Sequence, residues 1–183
     1  MNRAPFYTIA LIITVLNFFT FKIVVSQNDS KRSSINYKDS VFRSSDFISI
    51  TEADKILGKP SRLLDSLHKV SSGLLRYKIE YVATYKDSSS KGRIFFMFEQ
   101  YADASSLKSI YDNIKIENLK TSKLRELKDF AADEAFLAID NFNYPFILVR
   151  KENKLFKFKL YYLDAKVSLD ELLVVAKKIV AKH

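Results

Sequence analysis

The side chains best suited to bond-making chemistry are few and scattered. The chain holds two histidines, His68 and His183, and no cysteine, so a nucleophile–base–acid arrangement would have to form around one of those imidazoles. His68 lies in a polar stretch, and His183 is the last residue, where fraying is the ordinary expectation. No serine sits in a nucleophile-elbow sequence. The histidines have no partner four residues away, so a metal would have to be held by carboxylates alone. The densest acidic group is Asp129, Asp133, Glu134 and Asp140, which also reads as the solvated approach to a strand. Phosphate-cradling loops need clustered glycines, whereas Gly58, Gly73 and Gly92 stand apart. No catalytic residue, metal ligand or cofactor is therefore assigned.

Binding chemistry has one conspicuous tract. Arg150, Lys151, Lys154, Lys157 and Lys159 alternate with Phe156, Phe158, Tyr161 and Tyr162, the mixture of cations and rings that single-stranded nucleic acid favours. At strand period the tract divides. Phe156, Phe158, Leu160 and Tyr162 share one face, and Lys157, Lys159 and Tyr161 share the other, which describes a half-buried strand. The outward row Lys157, Lys159 and Tyr161 remains as the candidate surface contact. Its suitable partners are an envelope protein, a peptide, or a polyanionic glycan or lipid headgroup, in preference to nucleic acid.

The elements that would position this row follow from hydrophobic period. Residues 135–139, 144–150 and 155–162 read as strands, the last two joined by the polar turn 151–154, and a helix follows from Ser168. Ser168 with Glu171 makes a capping box, and Leu169, Leu172, Leu173, Ala176, Ile179 and Val180 form the buried stripe. Upstream, Thr51 is expected to cap a short helix ended by Gly58 and Pro60. Residues 62–72 are ambiguous: Leu63, Leu64 and Leu67 suit a helix, yet Ser71, Ser72 and Gly73 break the chain. Residues 74–85 alternate, with Tyr77, Ile79, Tyr81, Ala83 and Tyr85 inward. Residues 93–99 do not alternate and are expected to be covered on both faces. Helical spacing returns over 102–115, with Ala104, Leu107, Ile110, Tyr111 and Ile114 on one stripe. A short strand is expected near 124–127. Strands joined by short turns, with helices to cover them, predict an α+β domain with a largely antiparallel sheet, ending in a hairpin and a long helix.

The N-terminus reads as an export signal. Arg3 precedes a stretch without charge from Ala4 to Phe21, and Val24 and Ser26 suit the small-residue positions before a cut ahead of Gln27. Retention of this segment as a membrane anchor is the alternative, since it is only just long enough to span a bilayer. Residues 27–46 are serine-rich and read as a flexible linker, leaving 47–183 as a single domain. Net charge is +9, and no run of five or six basic residues appears, so the cations read as a solvated surface more readily than as a dedicated polyanion site. Without cysteine the domain must be held by packing alone.

The capped helix ending in Ile56, Leu57, Gly58, Lys59 and Pro60, the approach Asp133, Glu134, Ala135 and Phe136, the hairpin through residues 148–154 and the closing helix over 172–179 together resemble small exported bacterial domains of the PsbP/Mog1-like group. The resemblance spans residues 47–183 and rests on architecture. It implies an accessory or binding module of the cell envelope, periplasmic or extracellular, and carries no site residues. The expected function is thus a non-enzymatic exported binding domain. The alternatives are a hydrolase-type enzyme built from scattered carboxylates and tyrosines, or a membrane-tethered structural protein.

Overall fold

The computed structural model describes residues 42–84, 92–161 and 167–183, all within the unit Ser33–His183. The expected signal segment, most of the linker, Tyr85 and Tyr162 lie outside the described residues. In chain order the elements are α1 (Ile50–Leu57), β1 (Ser61–Ser71), β2 (Leu74–Ala83), β3 (Arg93–Tyr101), α2 (Ala104–Thr121), β4 (Ser122–Glu126), β5 (Glu134–Asp140), β6 (Pro145–Lys151), β7 (Lys154–Tyr161) and α3 (Leu169–Lys182). The strands form one seven-stranded sheet in the order β1-β2-β3-β7-β6-β5-β4, with every neighbouring pair antiparallel. The architecture is α+β, as the periodicity predicts. Two meanders, β1-β2-β3 and β4-β5-β6-β7, meet where β3 pairs with β7, and α2 carries the chain from one meander to the far edge of the other.

One face of the sheet supports the main core. Tyr77, Ile79 and Tyr81 of β2, Ile94, Phe96 and Phe98 of β3, and Phe156, Phe158 and Leu160 of β7 point into it, beneath α1 and α3. Register places Phe96 opposite Phe158 and Phe98 opposite Phe156, with ring centroids 4.9 and 5.2 Å apart. Tilted aromatic pairs at that spacing add to the free energy of burial. From α3, Leu172, Val175, Ala176, Ile179 and Val180 are buried; Leu173, read as part of the stripe, is half-buried at its margin.

The caps explain why the helices begin and end where they do. In α1 the cap is Ser49, not Thr51. Its hydroxyl accepts from the Glu52 N–H, and the Glu52 carboxylate accepts from the Ser49 N–H at 2.8 Å. Gly58 ends the helix in the left-handed region at φ 63°. Ser168 caps α3 through the Glu171 N–H at 3.1 Å. At the other end of α3, carbonyls left over by the helix accept from the hairpin: Lys151 Nζ reaches Val180 O at 2.9 Å and Lys154 Nζ reaches His183 O. Two cations at the negative end of the helix dipole thus tie the hairpin to it. His183 does not fray. Its ring stacks on Phe47 with centroids 4.8 Å apart, and burial pushes the imidazole pKa down.

Of residues 62–72, those up to Ser71 form a strand and not a helix, and Ser72 lies in the turn. Gly73, at φ 79°, turns the chain back so that Ser71 pairs with Leu74, and β1 then runs antiparallel to β2. The ambiguity arose because β1 is a sheet edge exposed along almost its whole length, so neither face shows an apolar period. Phe42, in the segment read as linker, packs against Phe47, Tyr77 and Phe98.

On the opposite face only half of the sheet is packed under a helix among the described residues. Phe136 and Ala138 of β5, Leu148 of β6 and Leu155 of β7 receive Leu107 and Tyr111 of α2. The helix runs to Thr121, six residues past its expected end. β5 and β6 are therefore covered on both sides, whereas the same face of β2, β3 and most of β7 is mostly polar, with a few apolar residues, Phe95 and Met97 of β3 among them.

Candidate functional site

The polar half-face is a lattice of ion pairs with apolar side chains set into it, Phe95 and Met97 of β3 at its middle and Leu67 of β1 at its edge. At its centre is Glu99, the one charged residue that is fully buried among the described residues, at 0% exposure. It projects from β3 directly opposite Arg76 of β2, and diagonally across from Lys157 of β7, whose own opposite residue is Met97. Directly opposite and diagonal neighbours on a sheet face are within side-chain reach. Arg76 contacts Glu99 Oε1 through Nε at 2.7 Å and Nη2 at 2.5 Å. Lys157 Nζ donates to Oε2 at 2.8 Å, and the Tyr101 hydroxyl donates to the same oxygen at 3.1 Å. The carboxylate is thus satisfied on both oxygens, which a buried charge requires.

The electrostatics of this cluster fix its protonation state. Burial is the largest single influence on Glu99 and acts to raise its pKa. The charge and hydrogen bond of Lys157, followed by those of Arg76, together outweigh it and hold the carboxyl below its usual range. Burial, then the adjacent Glu99 charge, pushes the Tyr101 phenol up. Near neutral pH the carboxylate stays ionised and the phenol stays protonated. The arrangement holds fixed charges and orients hydrogen bonds.

Two further pairings complete the lattice. Lys78 of β2 contacts Asp65 of β1 at 2.6 Å and Glu80 at 3.2 Å, and Arg93 approaches Glu80 at 3.5 Å. The hydrogen bond to Asp65, foremost among several influences, raises the Lys78 pKa. Lys159 of β7 lies 3.5 Å from Asp140 and stands over the Tyr161 ring at 4.9 Å, a cation–π contact. Tyr161 in turn meets Tyr144 edge-on, with centroids 5.9 Å apart.

Lys157, Lys159 and Tyr161 therefore share one face and lie close together, as strand period predicts, and each is engaged within the chain. The other basic residues of the tract are engaged too: Arg150 with Glu134 at 2.9 Å and Asp133 at 3.0 Å, and Lys151 and Lys154 with the end of α3. The acidic group Asp129, Asp133, Glu134 and Asp140 is likewise committed to cations of the chain: Asp133 and Glu134 share Arg150, Asp140 faces Lys159 and Asp129 pairs with Lys177. Among the described residues no cluster of three or more ligating side chains forms.

The feature that sequence reasoning missed is the pair of apolar residues in this lattice. Phe95 sits opposite Glu80 on one side and Lys159 on the other; Met97 sits between Lys78 and Lys157. Both are half-buried. Expected to be covered on each face, β3 is fully covered on the core side alone. Glu99 was equally hidden, although an acidic residue closing the apolar run 94–98 opposite Arg76 was the signal available.

Comparison with protein-family models, curated proteins and solved structures returns no match. The site is accordingly defined by its geometry: five cations, Arg76, Lys78, Arg93, Lys157 and Lys159, are set against four carboxylates, Asp65, Glu80, Glu99 and Asp140. The result is a nearly neutral, rigid and amphipathic surface. Among the described residues no helix is long and apolar enough to cross a membrane.

Proposed function

We propose that this chain is an exported, non-catalytic binding or accessory domain of the bacterial cell envelope, and that it engages a protein or peptide through the polar half-face of its sheet. The observation that carries this reading is the placement of Phe95 and Met97, half-exposed inside a lattice of paired charges. Apolar anchors surrounded by polar groups that are mostly paired with one another are the arrangement of a protein-recognition patch, where the anchors supply binding energy and the rim supplies specificity. A polyanionic glycan or lipid headgroup would draw instead on uncommitted cations, and Lys157 and Lys159 already face carboxylates. The export half of the reading rests on the signal-like residues 1–26, and the resemblance to PsbP/Mog1-like domains points to the same kind of accessory role.

Co-purification from the native envelope tests the binding half. The parent chain and Val174→Glu, altered at an exposed position of α3, should retain the same partner, while Met97→Glu should lose it. Retention by Met97→Glu at the parental level would remove the basis of the proposal. Mass spectrometry of the chain from its producing cell tests the export half: an N-terminus at Gln27 supports cleavage, and an intact Met1 rejects it.

A further inference from the structure

We propose that β1 is a self-association edge, through which two copies of the chain pair antiparallel about a two-fold axis at Leu67 and extend both sheets into one. β1 closes the sheet, so its outward N–H and C=O groups have no strand partner among the described residues. Natural edges are usually short, interrupted by proline or heavily charged, which discourages such pairing. β1 instead runs for eleven residues without proline, and its one irregularity, between Leu63 and Asp65, leaves 65–71 regular. It also carries four of the nine large apolar side chains exposed among the described residues: Leu63, Leu64, Leu67 and Val70, at 43, 39, 44 and 49%.

The choice of a second copy as occupant follows from the sequence of the strand itself. With Leu67 on the axis, an antiparallel partner brings Leu67 against Leu67, Ser66 against His68 and Asp65 against Lys69, each pair occurring twice except the central one, and carries Val70 to the irregularity beside Leu64. Apolar groups meet apolar groups and both charges meet their opposites. A shift by two residues in either direction sets Leu67 against Asp65 or against Lys69 and loses this match. Lys69 supplies a further reason. Its opposite residue within the sheet is Arg76, a like charge, and Lys69 has no ion-pair partner among the described residues, so a carboxylate from across the edge would relieve it. Such pairing is isologous and closes at two copies.

A chain without cysteine permits a direct test by single thiols. The full chain carrying Leu67→Cys places two thiols face to face on the axis. In Val70→Cys, each thiol lies six residues from its counterpart, about 20 Å away along the strand, beyond disulfide reach. Mild oxidation at equal concentration should convert Leu67→Cys to a covalent dimer at least about tenfold more completely than Val70→Cys, since only the first satisfies disulfide geometry. Adding Lys69→Glu to Leu67→Cys should abolish that dimer, because the introduced carboxylate would face Asp65 of the other copy. The same change places an acid opposite Arg76 within the chain, so folding is retained. Sedimentation of the cysteine-free chain over a concentration series should show a monomer–dimer equilibrium that Lys69→Glu shifts to monomer. Equal crosslinking of the two thiols, a Leu67→Cys dimer indifferent to Lys69→Glu, or a cysteine-free chain monomeric at every concentration would each overturn the proposal.

Discussion

Replacing Glu99 with glutamine keeps the shape of the side chain and removes its charge, leaving Arg76 and Lys157 without their counterion. Removing one partner from a buried ion pair costs about 3–5 kcal/mol when the remaining charge cannot reach water. Here the Arg76 side chain is 38% exposed and that of Lys157 17%, so both cations regain part of their hydration. The amide oxygen also still accepts one hydrogen bond. A loss of about 2 kcal/mol follows, nearer the worth of one or two charge-assisted hydrogen bonds. Urea unfolding followed by circular dichroism reads this as a lower midpoint at unchanged slope. The cycle with Lys157→Met should show the two residues coupled by about 1 kcal/mol or more. The pH dependence is a second readout. Because the folded pKa of Glu99 lies below its unfolded value of about 4.3, the folded state binds fewer protons, and the stabilisation is present above that pH. It is lost as pH falls through the folded pKa. The gap between the parent and Glu99→Gln should therefore be widest near neutrality and narrow on acidification below about pH 4. A loss under about 0.5 kcal/mol, the ordinary scatter of surface substitutions, or a gap that widens in acid, would refute the view that Glu99 anchors the half-face.

Other parts of the fold make separate predictions. Ile179→Ala removes a side chain only 1% exposed beneath the sheet and should cost about 2–5 kcal/mol in the same unfolding assay, whereas Val174→Ala, 63% exposed on α3, should change little. Gly92 adopts φ +112°, and a Cβ there would lie 3.3 Å from Leu57 Cδ2. Gly92→Ala should therefore lower the melting temperature, with a cost of about 1–3 kcal/mol from backbone strain alone. Lys151→Met deletes a donor to the last turn of α3 and should cost about 0.5–1 kcal/mol, with hydrogen exchange rising first at the end of that helix.

What could be read from sequence divides along physical lines. α3 was legible because its apolar stripe and the Ser168 cap are local, and local period fixes a helix. β7 was legible because one of its faces is core and the other wet, so Phe156, Phe158 and Leu160 alternate with Lys157 and Lys159. β1 was not, since an edge exposed on both faces leaves no period to detect. β3 misled for the reverse reason: the run Ile94, Phe95, Phe96, Met97, Phe98 looks like a strand covered twice, but α2 lies over β5, β6 and the start of β7, leaving Phe95 and Met97 half-exposed. The candidate row Lys157, Lys159 and Tyr161 was placed on one face by period alone. Its partner Glu99 lies far back in the chain, on β3, and is placed beside Lys157 only once β3 is seen to pair with β7, while Asp140 reaches Lys159 from β5, two strands away across β6. The basic tract looked like a reserve of cations for a ligand; its commitment to Glu99 depends on the long-range pairing of β3 with β7, and its commitment to Glu134, Asp140 and the end of α3 on the register of the β5-β6-β7 meander and the docking of α3.

The proposed docking surface for another protein is the half-face around Phe95 and Met97. Photo-crosslinking in the intact producing cell tests it most directly, with the reactive side chain placed at Phe95, at Met97 and, as a control on an exposed site, at Val174. The account predicts one adduct of a single discrete mass from positions 95 and 97, and none of that mass from position 174. Adducts of equal yield at all three positions, or none at 95 and 97, would contradict it.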